Sequence, residues 1–455
     1  MYKKHSNILL FAIFILILLG LACGTEDKKS NNSPPIAKAG NSIPIANAGN
    51  DQNVTVGTLV LLDGSASTDA DSDSLTYTWA FVSKPVGSNA IFSDSKAVKP
   101  TFTADLEGNY EISLVVNDGK TNSEVDIVVI ITIDPIANLK YRVYDAEYSK
   151  QLDKIIMISS NPNQLHIYDP ITKVDSSIDL PLAPNCVSVS PDGLYAVVGH
   201  NAWISYINLS LVTLVKTFPV TTDVLDIILA GNGYVYAFPR TDQWEYIRCV
   251  NIETEIETQH TGSSIYAGTL AKLHPNGKTI YGADNGLSPS DIEKYSIENG
   301  TAEYLYDSPY HGDYEMGGNL WISEDGLRIF TRAGNVFRSS EIKNQDMTYN
   351  GSLSELKFIE HLSHSSLSNK VIVIPGIPWW DENNQDTELQ IYDYDFLSFE
   401  KSIKLPSFFA KNNFYLGHGK FVFFNSNGSK YFIVIQADES SGMLNDFGIV
   451  SYNYE

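Results

Sequence analysis

The chain runs to 455 residues and carries 31 basic against 54 acidic side chains, a formal net charge of −23. That length allows two or three domains. So acidic a surface excludes nucleic acid as a partner, because phosphates need clustered lysine and arginine, and it favours solubility and cations.

Residues 1–22 read as a targeting segment. Lys3 and Lys4 give a positive start, and the run from Ile8 to Leu21 is apolar apart from Gly20. A spanning helix needs ~20 apolar residues, so this run is short, and its pattern is that of a secretory signal. Leu19-Gly20-Leu21-Ala22-Cys23 resembles the bacterial lipobox, with Gly20 where that family usually has leucine. The resemblance implies cleavage before Cys23 and a diacylglycerol on its thiol. An ordinary signal or an uncleaved anchor is the competing reading. Acyl chains would anchor the protein in a membrane, since each buried CH₂ contributes ~0.8 kcal/mol. Gly24-Thr25 carries no aspartate, which by resemblance to sorting in enteric bacteria implies the outer membrane or cell surface.

Residues 23–45 are polar and predict a flexible tether, too poor in apolar surface to offset ordering entropy. Ala37 to Asn41 recurs as Ala46 to Asn50, a short local duplication. Beyond it the composition points to an all-β chain, with 26 Tyr, 20 Phe and no long amphipathic helical pattern. Cys186 and Cys249 fall in apolar runs and are expected as buried free thiols.

Residues 46–134 predict a small sandwich. Val54 to Leu62, Leu75 to Trp79, Gly108 to Val116 and Val125 to Ile133 alternate in strand fashion around a bulky Trp79, which describes an immunoglobulin-like unit. The loop Asp63-Gly64-Ser65-Ala66-Ser67-Thr68-Asp69-Ala70-Asp71-Ser72-Asp73, with Tyr77, Trp79, Gly108, Tyr110 and Asn117-Asp118-Gly119, resembles the PKD family. That resemblance implies an extracellular spacer or adhesion module. Asp69, Asp71 and Asp73 alternate as in the first part of a calcium loop, where oxygen ligands are needed in number. Ser74 and Ala80 stand where an EF-hand needs glycine and glutamate, so that loop type is excluded. Two readings stay open: a calcium site on Asp69, Asp71 and Asp73, or an acidic turn whose side chains cap backbone N–H groups.

Residues 138–455 repeat one pattern: a short strand, a turn carrying Asn or Asp with Gly, and an apolar strand. Its anchors fall at Asp153, Gly193, Gly233, Gly277, Gly326, Lys370 and Gly428, spaced 40 to 58 residues apart. Such periods mean propeller blades, so seven anchors predict a seven-bladed β-propeller. The last unit lacks a fourth strand, and Leu139 to Tyr144 is expected to supply it. Pro184 to Asn201 resembles a blade of the YVTN-repeat and lactonase-like propellers, although Tyr-Val-Thr-Asn itself is absent. No convergent catalytic motif appears. His361 and His364, three apart on a strand, point to opposite faces. His200 and His311, the latter near Asp313 and Glu315, are candidates for a channel or for solvated loops. Trp379 and Trp380, beside Asp381 and Glu382, suit a sugar or peptide contact or the packing of a long loop. The chain is therefore expected to be a lipid-anchored envelope protein that binds or scaffolds a protein or carbohydrate. The alternative is a lactonase-like hydrolase or lyase with a metal at the channel.

Overall fold

The computed structural model describes residues 40–454 apart from 286, 355, 357 and 377–384. Cys23 and the pair Trp379 and Trp380 lie outside the described residues. The rest is strand and turn, with short 3-10 segments at Gln385–Thr387 and Glu439–Ser441.

In the first domain the period of two decides what is buried. Tyr110, Ile112, Leu114 and Val116 of strand Gly108–Asn117 are fully buried, while the residues between them are only half-buried. This strand sits between Thr76–Ser83 and Asp126–Ile133, both antiparallel to it, and Gln52–Thr55 adds in parallel at the edge. Leu59–Leu61 pairs with Thr101–Thr103 to form the facing layer. Three residues are too few to show an alternation, which is why Thr101–Thr103 is missing from the pattern reading. Trp79 is 2% exposed, packs with Phe102 and Leu114, and donates its indole N–H to the Ala97 carbonyl at 3.0 Å. The sandwich also begins before residue 46. Asn41 donates to Asp118 at 2.6 Å, the Ser42 amide donates to Asp71 at 2.6 Å, and Ile45 bridges to Thr68.

The second domain is a ring of seven blades among the described residues. The first strands are Asp145–Ser149, Cys186–Val189, residues 224–229, Leu270–Leu273, Leu320–Ile322, Ile359–Ser365 and Gly417–Phe424, one per blade. Between blades 2 and 3 the chain does not break. Strand Thr213–Leu229 pairs with the third strand of blade 2 through its first half and opens blade 3 with its second. Each sheet packs both faces, so neighbouring blades share one hydrophobic cluster at each of the seven interfaces. Burial on both sides explains runs such as Ile155 to Ile158 and Val371 to Ile374, which are apolar without alternation.

The repeat's turns link the first and second strands. Gly193, Gly277, Gly326 and Gly428 all sit near φ 70° there, a left-handed conformation that favours glycine. The two units without glycine use Asp153 at φ 51° and Asn369 at φ 55°, so the turn position in blade 6 is Asn369, one residue before the expected anchor.

Closure also differs from the expectation. The fourth strand of blade 7 is Ala137–Asn138, paired with Ile449 and Gly448, and the Leu139 amide donates to Phe447 O at 2.9 Å. Residues 139–144 do not form that strand. Leu139, Tyr141 and Val143 turn inward between blades 7 and 1, against Phe432, Phe447 and Met157. Their alternating burial belongs to packing at the seam.

Candidate functional site

The first strands line a central channel. Each pairs within its own sheet on one side only, which leaves N–H groups on the other edge in need of acceptors. Side chains of the preceding blade supply them. Asp145 Oδ2 accepts the Val187 amide at 2.9 Å and Glu147 Oε2 accepts that of Val189 at 2.6 Å. Ser188 accepts from Leu229 at 3.1 Å, and Asp226 from Ala271 at 2.8 Å. On the far side His361 Nδ1 accepts from Val422 at 3.2 Å and Ser363 from Phe424 at 3.1 Å. The channel acids therefore staple one blade to the next.

Two cavities of about 440 and 520 Å³ meet along this axis, and both are lined by Glu147, Lys272, Leu362 and Ser363. The wall is asymmetric. Blades 1, 3 and 4 present Asp145, Glu147, Asp226 and Lys272 with Tyr144 and Tyr148, whereas blades 5 to 7 present Trp321, His361, Phe421 and Phe423 with one acid, Glu360. The His361 ring meets Trp321, Phe421 and Phe423 edge-on, with centroids 6.0, 5.4 and 5.2 Å away.

Burial sets the charges here. It raises the Asp145 carboxyl to about 6 and that of Glu147 to about 7, and the Val187 and Val189 amides and Lys272 offset it only in part. Burial would lower Lys272, but the carboxylates of Asp226, Glu147 and Asp145 outweigh it and raise the ammonium above its ordinary value. His361 is lowered to about 3 by burial and then by Lys272, so its ring is neutral at pH 7. A half-shielded ammonium among acids, in a wall that also carries aromatic rings, can hold a small polar or zwitterionic group or the tip of a larger chain.

None of Asp145, Glu147, Asp226, Lys272 or Trp321 stands out in the sequence. Each lies a few residues upstream of its repeat's turn, so aligning the repeats on those turns would have grouped them. His200 is neither in the channel nor in a solvated loop. It lies at the end of a second strand, is fully buried, and bonds Ala183 O at 3.0 Å and Ser205 Oγ at 2.9 Å. His311 lies on the rim of blade 4 beside Asp291. His361 and His364 diverge as the strand period requires: His361 meets blade 7, and His364 accepts the Glu324 amide of blade 5 at 2.9 Å.

The Asp69, Asp71 and Asp73 side chains have separate partners. Asp69 Oδ1 accepts the amides of Asp71 and Asp73 at 2.9 and 3.0 Å, Asp71 holds Ser42, and Asp73 pairs with Lys120 at 2.6 Å. This is the geometry of a side-chain-capped turn. Among the described residues, the three do not bring ligand atoms within 4.8 Å of one another, and neither does any set of His, Cys, Asp or Glu in the channel. A channel metal therefore does not fit the residues present there.

Residues 48–132 match a family model that describes a PKD domain. No curated protein matches the chain. Among solved structures, the β-propeller domain of Cps50 (Swd1) from Myceliophteria thermophila is 12% identical, with a TM-score of 0.51 over 69% of this chain and 97% of that one. Hydrazine synthase from Kuenenia stuttgartiensis is also 12% identical, with a TM-score of 0.49 over the same shares. A quinonprotein alcohol dehydrogenase-like protein from Bacteroides thetaiotaomicron is 13% identical, with a TM-score of 0.45 over 79% of this chain and 96% of that one. The first of these likenesses shows the propeller fold and nothing of activity.

Proposed function

We propose that this protein is a lipid-anchored binding module of the bacterial cell envelope, with Cys23 as anchor, the PKD-like sandwich as spacer and the propeller channel as the ligand site. The observation that carries the reading is the channel mouth, where Lys272 stands among Asp145, Glu147 and Asp226 in a wall that also carries Trp321 and Phe423. Those acids already hold backbone amides, so they form a rigid polar surface suited to recognition. A protein or carbohydrate group with hydroxyls and a charge fits that chemistry. The anchor rests on the sequence Leu19-Gly20-Leu21-Ala22-Cys23 beside the charged, apolar leader.

Metabolic labelling with a fatty acid tests the anchor. In a bacterial host the wild-type chain should take up label and fractionate with membranes, and Cys23→Ala should take up none. An unlabelled wild-type chain would end the lipoprotein reading.

A further inference from the structure

The rim of blade 4 gathers acids that the channel does not use. Asp291 and Glu293 lie two residues apart at the start of the third strand, so they share one face of the sheet. Asp307 is the register partner of Glu293 and joins that face. Asp284 lies across from Asp291: its Oδ2 accepts the Asp291 amide at 3.1 Å. The Asp284 side chain is buried at 3% exposure; its Oδ1 makes no hydrogen bond of good geometry among the described residues, and the Leu287 backbone N–H lies near the carboxylate and favours its charged form. His311, from the loop after the fourth strand, places Nδ1 2.9 Å from Asp291 Oδ2. The ligand atoms of Asp291, Asp307 and His311 all fall within 4.8 Å of one another. Among the described residues, no lysine or arginine pairs with these acids, and their one ion pair is between Asp291 and His311.

Carboxylates crowded this closely repel one another. A cation held by Asp291, Asp307 and His311 relieves that repulsion. We propose that Asp291, Asp307 and His311 bind a divalent cation of the zinc or manganese class. The donor set selects the ion: an imidazole nitrogen beside carboxylates suits these borderline metals, whereas calcium and magnesium favour oxygen ligands throughout. His311 and Asp307 are exposed, so the ion would keep water in its remaining positions. The site would also tie down residues 308–319, the loop that leads into Leu320–Ile322 and so to Trp321 in the channel wall.

The test uses the untagged full chain in detergent, stripped with chelator, and titrated calorimetrically with zinc, manganese, calcium and magnesium in turn. Zinc or manganese should bind at one ion per chain, at least about tenfold tighter than calcium or magnesium. His311→Ala and Asp291→Asn should each weaken that binding by at least the roughly 10- to 100-fold that loss of even an outer-shell partner costs. The His311 side chain is 64% exposed, so its removal leaves the fold intact should Asp291→Asn disturb it. Asp313→Asn, nearby in the same loop, should bind as wild type does. Absence of binding by all four ions, unchanged affinity in His311→Ala, or calcium binding tighter than zinc would each overturn the proposal.

Discussion

Replacing Asp346 with alanine should cost the propeller about 3–5 kcal/mol, because it leaves a buried ammonium without its counter-charge. Asp346 is 1% exposed and lies in blade 5, in the turn before its fourth strand. It accepts from Lys294 of blade 4 at 2.7 Å, from the Tyr281 hydroxyl at 2.9 Å, from the Ser340 amide at 2.8 Å and from Tyr306 at 3.2 Å. Lys294, itself 4% exposed, has the Ser340 carbonyl at 2.8 Å as its other acceptor and lies over the rings of Tyr281 and Tyr306. Removing the carboxylate strands the cation between those rings, takes the acceptor from the Tyr306 hydroxyl and the Ser340 amide, and leaves the Tyr281 hydroxyl with Ser339 Oγ at 3.1 Å alone. Thermal and denaturant unfolding should both show the loss. The double variant Asp346→Leu with Lys294→Met should recover part of it, since replacing a whole buried pair with apolar groups is far milder than breaking it. A single variant within ~0.5 kcal/mol of wild type would mean that the pair is solvated in solution.

The second large effect is expected at the seam. Gly448→Val should force the closing strand off blade 7. A Cβ on Gly448 would stand 2.3 Å from the Ile136 side chain and 3.3 Å from the Ala137 carbonyl, inside the segment that completes the ring. Overpacking of this kind costs about 1–3 kcal/mol. Here the least costly relief is to release residues 136–139, which are held by short pairing and by Ile136 and Leu139 in the two flanking clusters. Release exposes a strand edge, so the variant should be cut near residue 137 by added protease and should aggregate on warming. Ile136→Ala in the same chain removes the clashing atom and should restore part of the resistance. A Gly448→Val protein as resistant as wild type would show that the ring is not closed by this segment.

How much of this is legible in the sequence follows from the physics of each element. The turns are legible because a left-handed backbone selects residues: glycine marks five of the seven, and Asp153 and Asn369 serve in the other two. The strands between them are legible as apolar runs, and Trp79 and Tyr110 mark the sandwich core. The closing strand is misplaced by pattern alone because Leu139, Tyr141 and Val143 alternate like a strand while packing at a seam between blades. The channel is hidden for a related reason. Asp145, Glu147, Asp226 and Lys272 come from three blades, and each looks locally like the polar position of an ordinary strand. Only ring closure brings them to one axis, and only there do their backbone partners in the next blade appear. The blade 4 cluster is likewise a product of register, since Glu293 and Asp307 are neighbours through strand pairing and not through spacing.

The central claim is that ligand reaches this protein through the mouth of the channel. A photo-crosslinking residue placed at Tyr144, 56% exposed at that mouth, tests it against one placed at Leu211, 70% exposed on an outer turn of blade 2. Irradiated in intact cells, the chain labelled at Tyr144 should yield a discrete adduct that is lost on Lys272→Met, while the Leu211 chain yields none. Equal adducts at both positions, or an adduct at Tyr144 that survives Lys272→Met, would contradict the account.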